Sequence, residues 1–294
     1  MADNNGVVVR RFAGHISHSE VFEQPLRVAH LTDQHVGRVT PMEAQVSAVQ
    51  LAMAEKPDLV VLTGDFVAHS QAWLADLAEV MRGFSVPVCG VLGNHDHWCG
   101  ASEVVRTLEK AGVSVLRNQH SLVTVRGQKL QIVGLDDAYT SHADATRAVR
   151  GLKRELPSIG LSHIAEEADH LWQLGVPLVF SGHTHAGQVT VAGLHELAIG
   201  KWGGHKYVHG LYGERRGGGA VYVGAGIGAA MFPFRLGERA RREVAIFELG
   251  AAPGDFDEHH SEQPALPGRA PSTELKEKRR AAVAKKVAAR AKRR

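Results

Sequence analysis

Residues 59–65 read LVVLTGD, and the way this stretch ends decides the fold. Leu59 to Leu62 are apolar without a break, as a strand covered on both faces requires. Gly64-Asp65 then stops the run and sets a carboxylate just past the strand's C-terminal end. The pattern of an apolar run followed by a short polar cluster recurs four times. Leu26–Thr32 precedes Asp33-Gln34-His35, Val86–Leu92 precedes Gly93-Asn94-His95-Asp96, Ser158–Ser162 precedes His163, and Pro177–Ser181 precedes Gly182-His183-Thr184-His185.

Amphipathic stretches alternate with these runs. Pro41–Glu55 carries Met42, Val46, Val49 and Met53 at helical spacing. Gln71–Arg82, Ser102–Ala111 (with Ser102 as candidate N-cap), Ser141–Lys153 and Glu166–Leu174 also read as helices. Val113–Leu116, Leu122–Val125 and Leu130–Leu135 read as the short strands of a meander. Glycine-rich loops are expected from Gly193 to Gly219, then strands at Ala220–Val223 and Val244–Leu249. Strand–helix alternation interrupted by a meander predicts an α/β layered fold with mixed sheets. The expected organisation is an N-terminal extension at 1–25, a catalytic domain at 26–250, a Pro/Gly-rich acidic linker at 251–271 and a basic tail at 272–294.

Composition narrows the class. The chain has 294 residues, 44% hydrophobic and 22% charged, an ordinary globular balance that excludes a wholly disordered or fibrous protein. No apolar run approaches the ~20 residues of a membrane helix, and the first residues lack the pattern of a signal peptide. Two cysteines, Cys89 and Cys99, are too few for a disulfide framework, so a cytoplasmic setting is expected. Cys89 reads as a small buried residue and Cys99 as a loop thiol. The net charge of +3 hides an asymmetry: residues 272–294 hold ten Lys/Arg against two Glu, which leaves the rest of the chain acidic. The pI therefore reports the tail, and it does not mark the body as a nucleic-acid binder.

The five clusters should converge, because ligands in open α/β sheets gather outside the carboxyl ends of strands. Their side chains are Asp, Asn and His without cysteine, a donor set for Mn²⁺, Fe²⁺ or Zn²⁺ and not for a thiolate-bound structural zinc. Asp33 and His35 are two apart, so an extended chain would point both to one side, and His183 and His185 repeat that spacing. With Asp65, Asn94 and His163 added, there are too many donors for one ion and about enough for two.

The series DQH, GD, GNHD, SH and GHTH resembles the calcineurin-like metallophosphoesterases. LTGDFV, VLGNHDHW, GLDDAYT, SGHTHAGQV and VYVGAGIG…FPFRLG…REV are similar to the small bacterial phosphodiesterase branch, which includes enzymes of the UDP-diacylglucosamine pyrophosphatase type. The resemblance runs from about Arg27 to Leu249. Gln34 and Thr32 depart from the usual Leu and Ser of the first motif, and Ala186 stands where Gly is usual. The proline that often follows His163 two residues later is missing, though no ligand is lost. The resemblance implies a sandwich of two mixed β-sheets flanked by helices and a dinuclear metal centre. Asp33, His35, Asp65 and His185 would hold one ion and Asp65, Asn94, His163 and His183 the other, with Asp65 bridging. It implies hydrolysis of a phosphodiester or pyrophosphate by attack of a metal-bridging hydroxide, with His95 assisting the leaving group.

Asp96 is then expected to orient His95, while His97 and Trp98 stand open between leaving-group contact and packing. The segments Lys201–Gly219 and Met231–Arg235 are expected to shape the pocket rim, with Arg235 a candidate phosphate contact. Two alternatives from other classes are a metal-stabilised interaction scaffold and a nucleic-acid or membrane-surface binder acting through its tail. That tail, disordered or helical, would bring peripheral association with anionic membrane or nucleic acid.

Overall fold

The apolar runs of the sequence become strands that are covered on both faces. A computed structural model of the chain describes residues 5–188, 190, 200, 203–229, 234–255 and 262–268. Its elements begin β1 (Val7–Ala13), α1 (Ile16–Ser19), β2 (Leu26–Leu31), α2 (Met42–Ala54), β3 (Leu59–Thr63), α3 (Leu74–Arg82) and β4 (Val88–Val91). They continue α4 (Asn94–Cys99), α5 (Ala101–Lys110), β5 (Val113–Val115), β6 (Gln119–Val125), β7 (Gln128–Gly134), α6 (Ala145–Ala148), β8 (Ser158–Leu161), α7 (Ala168–Gln173) and β9 (Leu178–Ser181). Last come β10 (Gly210–Gly213), β11 (Ala220–Val223) and β12 (Arg242–Leu249).

The strands form two mixed six-stranded sheets, ordered β1-β12-β2-β3-β4-β5 and β10-β11-β9-β8-β7-β6. Strands β2 to β5 run parallel, as do β7, β8, β9 and β11, while β12 pairs antiparallel with β2, β6 with β7 and β10 with β11. Period-two alternation sorts each strand's side chains into layers. Leu59 and Val61 of β3 enter the core between the sheets, and Val60 and Leu62 enter the core under α2, α3 and α5. On the far side, Val133, Val179 and Val221 pack with α6 and α7. The order of layers is thus helix, sheet, sheet, helix, as expected. Phe12, Phe180, Tyr222 and Phe247 lock the inter-sheet layer, with Phe180 edge-on to Phe247 at 4.8 Å. Truncating such a ring costs about 3–5 kcal/mol.

Several expectations change. The segment set apart as an N-terminal extension supplies β1, a full strand parallel to β12, so residues from Val7 belong to the first sheet. The expected meander is split: β5 closes the first sheet beside β4, while β6 and β7 form a hairpin in the second. The helix expected over Ser141–Lys153 shrinks to Ala145–Ala148. Gly100, with φ of 111°, precedes α5, and Ser102 lies inside that helix. In α2 the buried face is carried by Ala44, Ala48, Val49 and Ala52, whose small size lets the helix lie close to the sheet, and Val46 points outward at 43% exposure. Cys99 ends α4 inside the core, and both cysteines are buried and form no disulfide. Part of the expected linker packs on the domain, where Gln263 N donates to Leu211 O and Leu266 N to Lys206 O. The tail at 272–294 and Met231 to Pro233 lie outside the described residues.

Candidate metal centre

Both sheets deliver the C-terminal ends of their parallel strands to one rim, and the five clusters meet there. Asp33 and His35 follow β2, Asp65 follows β3, and Asn94 and His95 open α4 after β4. From the other sheet come His163 after β8 and His183 and His185 after β9. Donor atoms of Asp33, His35 and His185 lie within 4.8 Å of one another, as do those of Asp65, His163 and His183, and those of His35, Asp65 and His95. The Asp65 carboxylate stands between the groups, its Oδ2 3.5 Å from His35 Nε2 and 3.4 Å from His163 Nε2.

The backbone there is not extended. Asp33, His35, Asp65, His183 and His185 all adopt positive φ, between 42° and 75°. The expectation that alternate residues point to one side holds in outcome for Asp33 and His35, which share a group, and fails for the second pair. His183 joins Asp65 and His163, whereas His185 joins Asp33 and His35. Left-handed conformation costs an L-residue about 1–2 kcal/mol, and its concentration at this rim is typical of a functional site held by its surroundings. Glycines make room for the carboxylates. A side chain at Gly93 would collide with the Asp65 carboxylate, and one at Gly182 would collide with Thr32 and the Asp33 carboxylate.

Fit to metal can be tested on the polar atoms. Asp33 Oδ1 and Asn94 Oδ1 are buried without a hydrogen-bond partner, a costly state that a coordinated cation would relieve. His163 Nδ1 is 2.7 Å from Thr63 O, and a carbonyl only accepts, so Nδ1 carries the hydrogen and Nε2 is the nitrogen turned to the cluster, 3.4 Å from Asp65 Oδ2. Burial holds His35, His183 and His185 below the usual histidine range, in the neutral form that ligates. Burial would lower His163 too, but Asp65 lifts it to about 10, so the clustered carboxylates demand positive charge at this position. The residues fit a pair of divalent ions.

Neighbouring residues take roles that the sequence reading did not assign. Asp96 was expected to orient His95, and the structure corrects this. Its carboxylate accepts from the N–H groups of Gly93 and Asp65 at 2.9 Å, and of Phe66 and Val67 at 2.9 and 3.3 Å. It ties the loop after β3 to the start of α4. His95 is held instead through Nδ1 on Ala68 O, and its own N–H reaches Asp65 Oδ1 at 2.8 Å. His97 is structural, with Nε2 2.7 Å from Asp136 Oδ1. Arg235, the expected phosphate contact, spends its guanidinium on Ala225 O at 2.8 Å, Ala240 O at 2.9 Å and Gly228 O. Burial lowers it to about 10, and it braces the 225–228 loop behind His185, 3.5 Å from His185 Nδ1.

Glu243 was missed. Buried on β12, it accepts from Arg10, His209, Tyr222 and Ala225 N, and it fixes the start of the loop whose Gly228 N donates to Asp33 O. Burial alone would raise Glu243, but His209 and Arg10 hold it well below the usual carboxylate range. The only signal for it in the sequence was an acidic residue directly before the apolar run that starts at Val244.

Comparison with known proteins agrees with this geometry. The family model described as calcineurin-like phosphoesterase matches residues 26–187. Phosphodiesterase YaeI of Escherichia coli is 29% identical over 233 residues, covering 76% of this chain and 82% of that protein. The uncharacterized metallophosphoesterase YkuE of Bacillus subtilis is 29% identical over 231 residues, 76% of this chain and 78% of the relative. Among solved structures, a 5'-nucleotidase precursor from Thermus thermophilus shares the fold at TM-score 0.50 and 16% identity, across 90% of this chain and 59% of its own. With its ligand cluster carried on the rim of two mixed sheets, the chain belongs to the calcineurin-like phosphoesterase family and is a metal-dependent phosphoesterase.

Proposed function

We propose that the protein hydrolyses a phosphodiester or pyrophosphate bond at a dinuclear centre. Asp33, His35, Asp65 and His185 hold one ion, and Asp65, Asn94, His163 and His183 the other. The observation that carries this reading is the convergence of these side chains with Asp33 Oδ1 and Asn94 Oδ1 buried and unpartnered. Imidazole and oxygen donors without thiolate suit Mn²⁺, Fe²⁺ or Zn²⁺. Bound there, two such ions would supply Lewis acidity to a phosphoryl group and a water of lowered pKa.

The chain's own residues complete the chemistry. Asp65 offsets repulsion between the two cations, and Asn94 adds an oxygen without adding charge. Because Nδ1 of His95 is tied to Ala68 O, Nε2 is the nitrogen that exchanges a proton with the leaving oxygen. The diester preference is supported by the relative named as a phosphodiesterase. Hydrolysis of bis(p-nitrophenyl) phosphate with added Mn²⁺ tests the proposal, comparing wild type with Asp65→Ala and Asn94→Ala. Turnover by wild type alone is expected, and equal rates in all three refute it.

A further inference from the structure

The chain that leaves β11 runs behind the ligand cluster as a glycine-rich loop, Gly224-Ala225-Gly226-Ile227-Gly228, and presses on Asp33 and His185. Ile227 N donates to Thr32 O at 3.0 Å and Gly228 N to Asp33 O at 2.7 Å, so the loop holds the backbone that carries Asp33 in its left-handed turn. Gly226 approaches closest. A Cβ added there would stand 2.7 Å from Asp33 Cβ and 3.4 Å from His185 Nδ1, and its φ of 78° suits glycine. Gly224 N, on Ser181 O at 2.9 Å, only continues the pairing of β11 with β9.

Three glycines in five residues give such a loop much freedom to lose, and side chains pin it from two directions. Glu243 Oε1 accepts from Ala225 N at 2.9 Å. From the other side Arg235 Nη1 donates to Ala225 O at 2.8 Å and to Ala240 O at 2.9 Å, and Nη2 donates to Gly228 O. Among the described residues, these Arg235 bonds go to main-chain carbonyls and none to a carboxylate. A partly buried cation therefore stands 3.5 Å from His185 Nδ1, directly behind a site for cations. Like charges repel, and most where water is excluded, so charge alone makes this placement unfavourable for metal. The brace on the loop is what offsets it. Other groups hold the neighbouring ligands: Asp96 ties down the segments of Asp65 and Asn94, and Thr63 O orients His163.

We propose that Arg235 is a positioning residue for one ion of the pair. By pinning the 224–228 loop against Asp33 and His185 it sets the affinity of the ion those residues hold, and the ion of Asn94, His163 and His183 does not depend on it. This role rests on the dinuclear reading above. It also reverses the sign that electrostatics would give. Removing the charge alone would tighten the ion, whereas removing the brace loosens it.

Calorimetric titration of the metal-free full chain with Mn²⁺ tests the role, each ion being assigned by anomalous scattering from crystals soaked at graded Mn²⁺. Arg235→Met keeps the length of the side chain and loses its charge and donors. It should weaken the ion of Asp33 and His185 by about 10–100-fold, the usual range for a group that orients a ligand. The other ion should keep its wild-type affinity. Arg235→Lys, which retains the charge and part of the donor set, should recover part of the loss, and Gly226→Ala should weaken the same ion through its Cβ. Tyr222→Phe takes one donor from Glu243 and leaves Ala225 N in place, so both affinities should stay as in wild type. Unchanged or tighter binding of the Asp33 ion in Arg235→Met overturns the role, as does equal weakening of both ions. If Arg235→Met does not fold, Arg235→Lys and Gly226→Ala decide by the same readout. A single Mn²⁺ in wild type refutes the dinuclear reading: placed on Asp33 and His185, its weakening in Arg235→Met still decides the role, and placed elsewhere it overturns both.

Discussion

Replacing Asp96 by asparagine should loosen the site itself, where a role in orienting His95 would only slow a proton transfer. Asp96 is fully buried, and its Oδ2 accepts from Asp65 N and Gly93 N at 2.9 Å while Oδ1 accepts from Phe66 N at 2.9 Å and Val67 N at 3.3 Å. An asparagine amide keeps one oxygen and turns the other into NH₂. Whichever way it is turned, two backbone donors then face another donor. Each unsatisfied buried group costs about 1–3 kcal/mol, so the pair costs about 2–6 kcal/mol. In a domain of this size each kcal/mol lowers Tm by about 2–4 °C, and a fall of about 10 °C is the central expectation. The measurement is thermal unfolding in EDTA, so that bound metal adds nothing, followed by metal content after reloading. Both should fall together, because the four N–H groups belong to the segments that carry Asp65 and Asn94. Wild-type Tm and metal content in Asp96→Asn, with kcat alone reduced, would refute the reasoning and return Asp96 to the His95 side chain.

Four further outcomes are expected. His95→Ala should leave metal content unchanged and lower kcat by about 10²–10⁴-fold, and metal loss by analysis of the purified variant would show that His95 is a ligand. His183→Ala and His185→Ala should each weaken a different ion, which anomalous scattering from Mn²⁺-soaked crystals reads directly, and both imidazoles on one ion would contradict the assignment. Burial would raise Asp136, but His97 and Arg117 hold it at about 2. Its folded pKa lies below the ordinary carboxylate value, so its contribution, on the order of 2 kcal/mol, is complete above pH ~4 and lost as pH falls toward 2. Urea titrations across that window should show Asp136→Asn less stable at neutral pH with a flatter acid limb. Deleting residues 272–294 should leave turnover of small soluble diesters intact while abolishing any low-salt association with anionic vesicles or DNA; near an acidic leaflet each basic residue adds about 1 kcal/mol. Loss of basal turnover in the truncated protein would show that the tail packs on the domain.

The candidate ligands were legible because their signal is local. A strand buried on both faces must be apolar, so the point where LVVLT gives way to Gly-Asp, or PLVFS to Gly-His-Thr-His, is visible in one dimension. Five such boundaries in order, with glycine beside the carboxylates, carried the metal centre and the layered α/β class. Other features have no one-dimensional trace. Strand β1 holds charged Arg10 and pairs with a strand more than two hundred residues away, and Glu243 on that strand, with Glu238 beside it, makes a buried arginine tolerable. Alternation along an extended chain was the wrong rule for His183-Thr184-His185, because left-handed backbone sends the two imidazoles to different groups, and tertiary hydrogen bonds such as His183 N to Asp33 Oδ2 fix that backbone. Asp96 and Arg235 looked reactive by residue type, yet burial and the direction of nearby N–H and C=O groups give them structural work. Trp98 on α4 meets the ring of Tyr139, in the loop after β7, at 6.0 Å, a contact that no sequence spacing shows. Sequence by itself determined which atoms could bind metal, because hydrophobic periodicity and residue chemistry are properties of the chain. Only the tertiary structure decided which of them stand within reach of one another and which polar neighbours brace the site. Those outcomes depend on distances between segments that the chain brings together only when both sheets close on a common core.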